Sequence, residues 1–329
     1  MSALNLTKNN RKYLSLCIKL SLVVLAFWFI FKKVLKNKDL VSFQSYLQEM
    51  TTTEITALAT ILLVLMLVNW GVEIFKWQRL IKKVEQISIW KSLESVFCGL
   101  TLAIFTPNRI GEYGGRVFFL SPNRRIVGVV AMAVGNIGQM VVTNIFGIIA
   151  TLFFLYRFAE LDSMVFYIIG IAALGFCVFL GLFCLNIRWI QGLLLSIRWT
   201  KKYKKFYKVL GKYSKAELLK LLGFALVRYL VFSTQYIIIL KILIPDLLIL
   251  DTLMMVCILF FVQSSLPSLA IFDIGVRSLA ATHFFGYITD QQVAVVASTA
   301  CIWFVNIIIP AVIGSYFVFK LKLFGNNNS

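Results

Sequence analysis

The segment Ile104–Leu120 reads IFTPNRIGEYGGRVFFL. A proline, three glycines, two arginines and a glutamate fall between Pro107 and Arg116. Phe105 stands before them and a Val-Phe-Phe-Leu run after. Proline has no N–H and disfavours helix for the residue before it. Gly111, Gly114 and Gly115 lower helix propensity and let backbones approach closely. The pattern predicts a helix from about 92 that breaks near 106 and a second helix that starts near 108–112.

The surrounding chain makes that break unusual. Of 329 residues, 60% are hydrophobic and 14% charged, and the mean hydropathy is +0.87. Soluble domains average about 45–50% apolar and about 25% charged. The composition is that of an all-α polytopic membrane protein, a single transmembrane domain over 1–329 with no soluble catalytic domain. A crossing helix needs about 20 apolar residues. Six stretches qualify: 14–31, 55–75, 126–156, 163–187, 217–244 and 291–320, with Pro310 expected to kink the last. The first follows Lys8, Arg11 and Lys12, is long for a signal-peptide core and has no A-x-A site after it, so it reads as a retained span.

Two further apolar pieces, 92–120 and 250–286, each carry a proline and then a patch of glycine and charge. Their runs are short for a full crossing. Loop charge orients the rest. Residues 188–216 hold nine Lys/Arg and no acid, which marks a cytoplasmic loop. The stretch 76–91 agrees, with Lys76, Arg79, Lys82, Lys83 and Lys91. Glu160, Asp162, Asp246 and Asp251 mark outer turns. The basic 32–39 stretch falls outside and conflicts. Both termini come out cytoplasmic. The six spans already alternate, so each broken piece must leave on the side from which it came. The 92–120 piece dips in from the cytoplasm and the 250–286 piece from outside. Two re-entrant hairpins of opposite sense are the pattern of an inverted repeat; counted as crossings they would raise the total to eight spans. Surface helices are expected at 40–50 and at 201–213, where Tyr203, Phe206, Tyr207, Leu210 and Tyr213 form an apolar stripe among lysines.

The polar patches carry the chemistry. Charge inside a membrane segment costs roughly 2.5–3.5 kcal/mol on insertion scales and marks a functional site by default. Arg109 and Arg116 suit a phosphate, because the guanidinium fork matches its geometry. Glu112 lies three residues from Arg109 and four from Arg116 and can pair with either; mutual neutralisation is the plainer reading of the three. Pro267, Asp273, Gly275 and Arg277 echo Pro107, Glu112, Gly115 and Arg116. Gln139, Asn144, Arg228 and Gln235 are expected to face the bundle interior as site groups or as interhelical hydrogen bonds. His283, the only histidine, reads as packed or solvent-facing. The cysteines at 17, 98, 177, 184, 257 and 301 lie in apolar runs without C-x-x-C spacing and read as buried apolar residues. A net charge of +19 reads here as affinity for anionic lipid headgroups rather than nucleic acid. No metal ligand set, nucleophile elbow or P-loop is present, so neither an enzyme nor a cofactor is expected.

With those residues in view, the chain resembles the membrane region of bacterial lysylphosphatidylglycerol synthases/flippases and the stand-alone flippase-like proteins that share it. TPNRIGEYGGR (Thr106–Arg116) is similar to that family's first hallmark. LPSLAIFDIGVRSLA (Leu266–Ala280) is similar to its second, although Ser278 stands where a glutamate often follows Gly-Val-Arg. The larger enzymes add a soluble aminoacyl-transferase domain, and the sequence ends at Ser329 without one. The resemblance therefore implies a lipid translocase of the bacterial inner membrane, moving an anionic phospholipid or a polyprenyl-phosphate-type lipid. Arg109, Glu112, Arg116, Asp273 and Arg277 would meet the headgroup. Candidate protein partners are a second copy of the chain and a lipid-modifying enzyme. The alternatives are an enzyme or enzyme subunit acting on lipid-linked substrates, and a non-transporting scaffold.

Overall fold

A computed structural model describes residues 45, 48, 50–106, 109–199, 204–265 and 273–319, without the side chains of Asp273 and Phe319. The expected span at 14–31, most of the surface helix at 40–50, and both Pro107 and Pro267 lie outside these residues. Among them the chain is all-helical, 84% helix and no strand. Five helices are long and apolar enough to cross a membrane, the architecture of a multi-pass membrane protein.

The first half comprises α1 (Thr52–Ile81), the pair α2 (Ile89–Ile104) and α3 (Ile110–Val117), then α4 (Arg125–Phe158) and α5 (Ser163–Leu185). The second half comprises α8 (Lys215–Leu243), the pair α9 (Ile249–Ser265) and α10 (Asp273–Phe285), and a last span of α11 (Gln292–Trp303) and α12 (Ile309–Phe319) joined by a π turn, Phe304–Ile308. Short helices α6 (Arg188–Ser196) and α7 (Lys204–Tyr207) lie between the halves. The π turn has a local cause. Pro310 has no N–H for the Asn306 carbonyl four residues back, and such a gap is relieved by a wider turn.

Capping boxes start both halves: Thr51 with Glu54 at α1, and Ser214 with Glu217 at α8. The two helices run antiparallel in register. Leu62 O accepts from Gln235 Nε2 at 3.0 Å, Asn69 Oδ1 from Arg228 Nε at 3.0 Å, and Lys83 Nζ pairs with Glu217 at 2.6 Å. Gln235 also accepts from Asn306 Nδ2 at 3.0 Å, so it ties three helices together as interhelical glue.

The break in the opening segment falls where expected. α2 ends at Ile104 and α3 begins at Ile110. Two of the three glycines explain how the pair folds back. A Cβ on Gly115 would sit 2.6 Å from Gly99 Cα, and one on Gly111 would sit 2.2 Å from the Leu102 carbonyl oxygen. At Gly114 the nearest atom would be a Phe118 ring carbon at 3.8 Å, so Gly114 is not a close-approach position. Sixteen residues of α2 rise about 24 Å and eight of α3 about 12 Å, both less than the roughly 30 Å hydrocarbon core. Ser121 N–H, after α3, donates to Glu85 Oε2, before α2, at 2.9 Å. The chain thus returns to where it left.

The second pair is held in a matching way. Asp251, in the first turn of α9, pairs with Arg157 at the C-terminal end of α4. Tyr287, just past α10, packs on Phe154 and Phe158 of the same end. The mouth of the first pair lies at the other end of α4, where Arg125 Nε donates to the Leu120 carbonyl at 3.4 Å. α9 packs on α4 at Gly147, where a Cβ would meet Phe261 Cβ at 2.3 Å. α2 packs on α12 at Gly314, where a Cβ would meet the Phe97 carbonyl at 2.2 Å, and Thr101 Oγ1 donates to the Ala311 carbonyl at 2.8 Å. The second pair therefore packs on a glycine of α4 and the first on a glycine of α12.

Three expectations change. Helix α1 continues to Ile81, so Lys76 and Arg79 belong to it and not to a loop. The loop at 188–216 contains α6, which its charge concealed. The stripe at 201–213 is not one surface helix among the described residues. It is α7 followed by a 3-10 turn, Leu210–Lys212, with Leu210 and Tyr213 buried in the protein core. Tyr213 OH donates to the Leu80 carbonyl at 2.9 Å, and burial holds its phenol pKa above the ordinary value. Lys204, Lys205, Lys208 and Lys212 are exposed while Leu210 and Tyr213 pack inward.

Candidate functional site

The buried face of α1 repeats at helical spacing through Leu62, Met66, Asn69, Trp70, Glu73, Trp77 and Leu80. Glu73 is the only acid between Ile55 and Ile81, and it is 2% exposed. A lone carboxylate there demands partners, since an unpaired buried charge is the costly case. It has three. Arg116 Nη1 of α3 donates to Oε1 at 2.6 Å. Lys76 Nζ, one turn along α1, lies 2.6 Å from Oε2, and Arg228 of α8 donates to that same oxygen. Arg228 lies over the Trp70 ring and Arg116 over that of Trp77, so aromatic faces take up cation surface that carboxylates do not.

The opening segment supplies the rest. Glu112 and Arg116 lie one turn apart on α3 and are bonded to each other, and Arg109 Nη2 sits 3.0 Å from Glu112 Oε2. Glu112 thus pairs with both arginines. Arg109 stands just before α3 with φ 56°, the left-handed region. Non-glycine residues there are uncommon and collect at functional sites. The Thr106 hydroxyl donates to the Leu102 carbonyl at 3.0 Å and accepts from Gly111 N–H at 2.7 Å. It closes the break and uses one of the free amides at the start of α3.

Six ionised groups form one network. Lys76, Arg109, Arg116 and Arg228 face two carboxylates, Glu73 and Glu112, a surplus of two positive charges. The plainer expectation, that Arg109, Glu112 and Arg116 pair with one another, describes part of it, and Glu73, Lys76 and Arg228 extend the network beyond those three. A cavity of about 610 Å³ opens beside the network, within the usual range for a small-molecule site. Lys76, Arg109 and Arg228 line one side. Asn136, Gln139, Met140 and Thr143 of α4 line another at helical spacing, with Tyr113 and Ser264 between. Tyr113 OH accepts from Asn136 Nδ2. Gln139 Oε1 is buried without a hydrogen-bond partner.

Not every expected residue joins. Arg277 does not line this cavity; its Nη1 donates to Gln263 Oε1 of α9 at 2.7 Å. Gly275 is buried in the first turn of α10, and Asp273 begins that helix. Asn144 donates to the Met140 carbonyl of its own helix at 2.7 Å and is not a cavity group. His283 is exposed, with its ring against Phe284 and Tyr287. Glu73 and Lys76 were missed as site residues. Their signal was present: an acid on the buried stripe of an apolar helix, with a lysine three residues on. The chain matches no family model, no curated protein and no solved structure.

Proposed function

We propose that the chain is a lipid translocase of the bacterial inner membrane, and that the cavity beside Arg109, Lys76 and Arg228 receives the phosphate of an anionic lipid. The carrying observation is the surplus of two positive charges around a cavity inside an apolar bundle. A surplus at membrane depth is expensive without an anion. A lipid phosphodiester supplies one of the two missing negative charges and accepts from guanidinium forks. The broken pairs α2–α3 and α9–α10 act as re-entrant hairpins, too short to cross, with mouths at opposite faces. Basic groups cluster at the end of the bundle that holds Lys83, Arg124 and Lys212, so that end is cytoplasmic. The last span, α11–α12, ends on that side, since α12 packs antiparallel to α2. The hallmark TPNRIGEYGGR supports the same family reading, with Thr106 closing the break and Glu112 holding two arginines. Glu73 and Glu112 keep the cations in place when no lipid is bound.

The test is headgroup accessibility of a labelled phosphatidylglycerol in reconstituted vesicles. Arg109→Gln and Arg228→Gln should slow its movement at least about tenfold, the worth of one charge-assisted hydrogen bond. Arg109 is 44% exposed at its side chain, so its variant should fold as the parent does. Parent rates in both variants would leave the network a purely structural pin.

A further inference from the structure

Resting on the phosphate-site reading, the two sides of the cavity select among phosphate lipids. All four carboxylate oxygens in the cavity are engaged: Glu73 Oε1 by Arg116, Glu73 Oε2 by Lys76 and Arg228, Glu112 Oε1 by Arg116 and Glu112 Oε2 by Arg109. No other acid lines the cavity among the described residues. An ammonium group would find no counter-ion there and would face two surplus positive charges. Yet the α4 side holds a buried acceptor, Gln139 Oε1, with no donor, and a buried polar atom in that state wants one. The donor must be uncharged. Thr143 and Asn136 lie one turn to either side of Gln139 on the same face, and both carry polar atoms of the right kind for a neutral, hydroxylated group.

We infer that the ligand is a phosphate ester whose appended group is neutral and hydroxyl-bearing, such as glycerol or a sugar, and that ammonium-bearing headgroups are excluded. The phosphate sits toward Arg109, Lys76 and Arg228. The hydroxyls reach across to Gln139 and its neighbours on α4. This narrows the substrate class against what the family resemblance suggests by itself, since an aminoacylated lipid brings a cation.

The experiment is competition against labelled phosphatidylglycerol on purified full-length protein in nanodiscs. The competitors are phosphatidylglycerol, phosphatidylinositol, phosphatidylethanolamine, phosphatidic acid and soluble glycerol 3-phosphate. The parent should prefer phosphatidylglycerol and phosphatidylinositol to phosphatidylethanolamine by at least about tenfold, because like charges in a partly desolvated site are strongly disfavoured. Gln139→Leu should weaken phosphatidylglycerol about fivefold to tenfold, the loss of one hydrogen bond, and leave phosphatidic acid unchanged. Gln139→Glu should move the preference toward phosphatidylethanolamine. Competition by glycerol 3-phosphate at lipid-like concentrations identifies a soluble ester as sufficient, and competition by the lipids alone identifies a membrane ligand; both agree with the hydroxylated-phosphate class. The inference is overturned if phosphatidylethanolamine competes as well as phosphatidylglycerol, or if Gln139→Leu weakens phosphatidic acid equally. Should phosphatidylglycerol and phosphatidic acid bind the parent no better than Arg228→Gln protein, the phosphate site itself fails, which is a different outcome.

Discussion

Glu73→Ala is expected to be the most damaging single change in the protein. It leaves Arg116, Arg228 and Lys76 clustered around an empty position, with Arg116 and Lys76 almost fully buried. Removing one partner of a buried ion pair typically costs about 3–5 kcal/mol. Here one carboxylate serves three cations, so the upper part of that range applies. In a thermal melt of the purified protein this corresponds to a drop on the order of 10 °C or to loss of a folded peak altogether. Glu73→Gln should be nearly as harmful, because it keeps the shape but not the charge. Combining Glu73→Gln with Lys76→Met should recover part of the loss, since one uncompensated cation goes with it. Glu112→Ala should be milder than Glu73→Ala. Arg109 can turn to solvent, and Arg116 keeps its bond to Glu73. A Glu73→Ala protein that melts within about 2 °C of the parent would mean the cations are screened by something other than this carboxylate.

The second large effect belongs to the fold-back of α2 and α3. Gly115→Ala puts a methyl group 2.6 Å from Gly99 Cα and 2.8 Å from Gly99 N, and Gly111→Ala puts one 2.2 Å from the Leu102 carbonyl oxygen. Both obstructions are backbone, so no side chain can swing away. Overpacking of this sort costs about 1–3 kcal/mol and more where the backbone must separate. The displacement also carries Glu112 and Arg116 away from Glu73, so lipid movement should fall with stability. Gly114→Ala, one residue from Gly115, is the control. Its nearest neighbour is a ring carbon at 3.8 Å, and alanine favours helix over glycine by up to about 1 kcal/mol. It should be neutral or slightly stabilising. Equal losses at 114 and 115 would mean the two helices do not meet at Gly99.

The break at Thr106–Arg109 was legible because proline and glycine act through backbone geometry, which sequence records directly. The long spans were legible for a similar reason: hydropathy over about 20 residues depends little on tertiary context. The site was legible only where charges stood close together. Arg109, Glu112 and Arg116 lie within one helical hairpin, and their mutual pairing follows from spacing. Glu73 and Arg228 are 155 residues apart, and nothing local says that they meet. Lys76 looked like a loop residue because charge near the end of an apolar run resembles a helix boundary. Gly114 and Gly115 look alike in sequence, and only the position of Gly99 separates them. The stripe from Phe206 to Tyr213 has the same pattern whether it covers lipid or protein, and here it covers protein. Arg277 echoes Arg116 by motif, yet it donates to Gln263 and stands apart from the cavity. Motif echo does not by itself bring two residues together.

The central claim is that an anionic headgroup occupies the cavity between the first broken hairpin, α1, α4 and α8. It is tested most directly by an experimental structure of the protein in nanodiscs made with phosphatidylglycerol. The account predicts phosphate density within hydrogen-bond distance of Arg109 and Arg228, at the depth of the break between α2 and α3 inside the disc, with the mouths of the two hairpins on opposite faces. Ordered anionic lipid found only around the outside of the bundle, with this cavity closed or holding water alone, would contradict it.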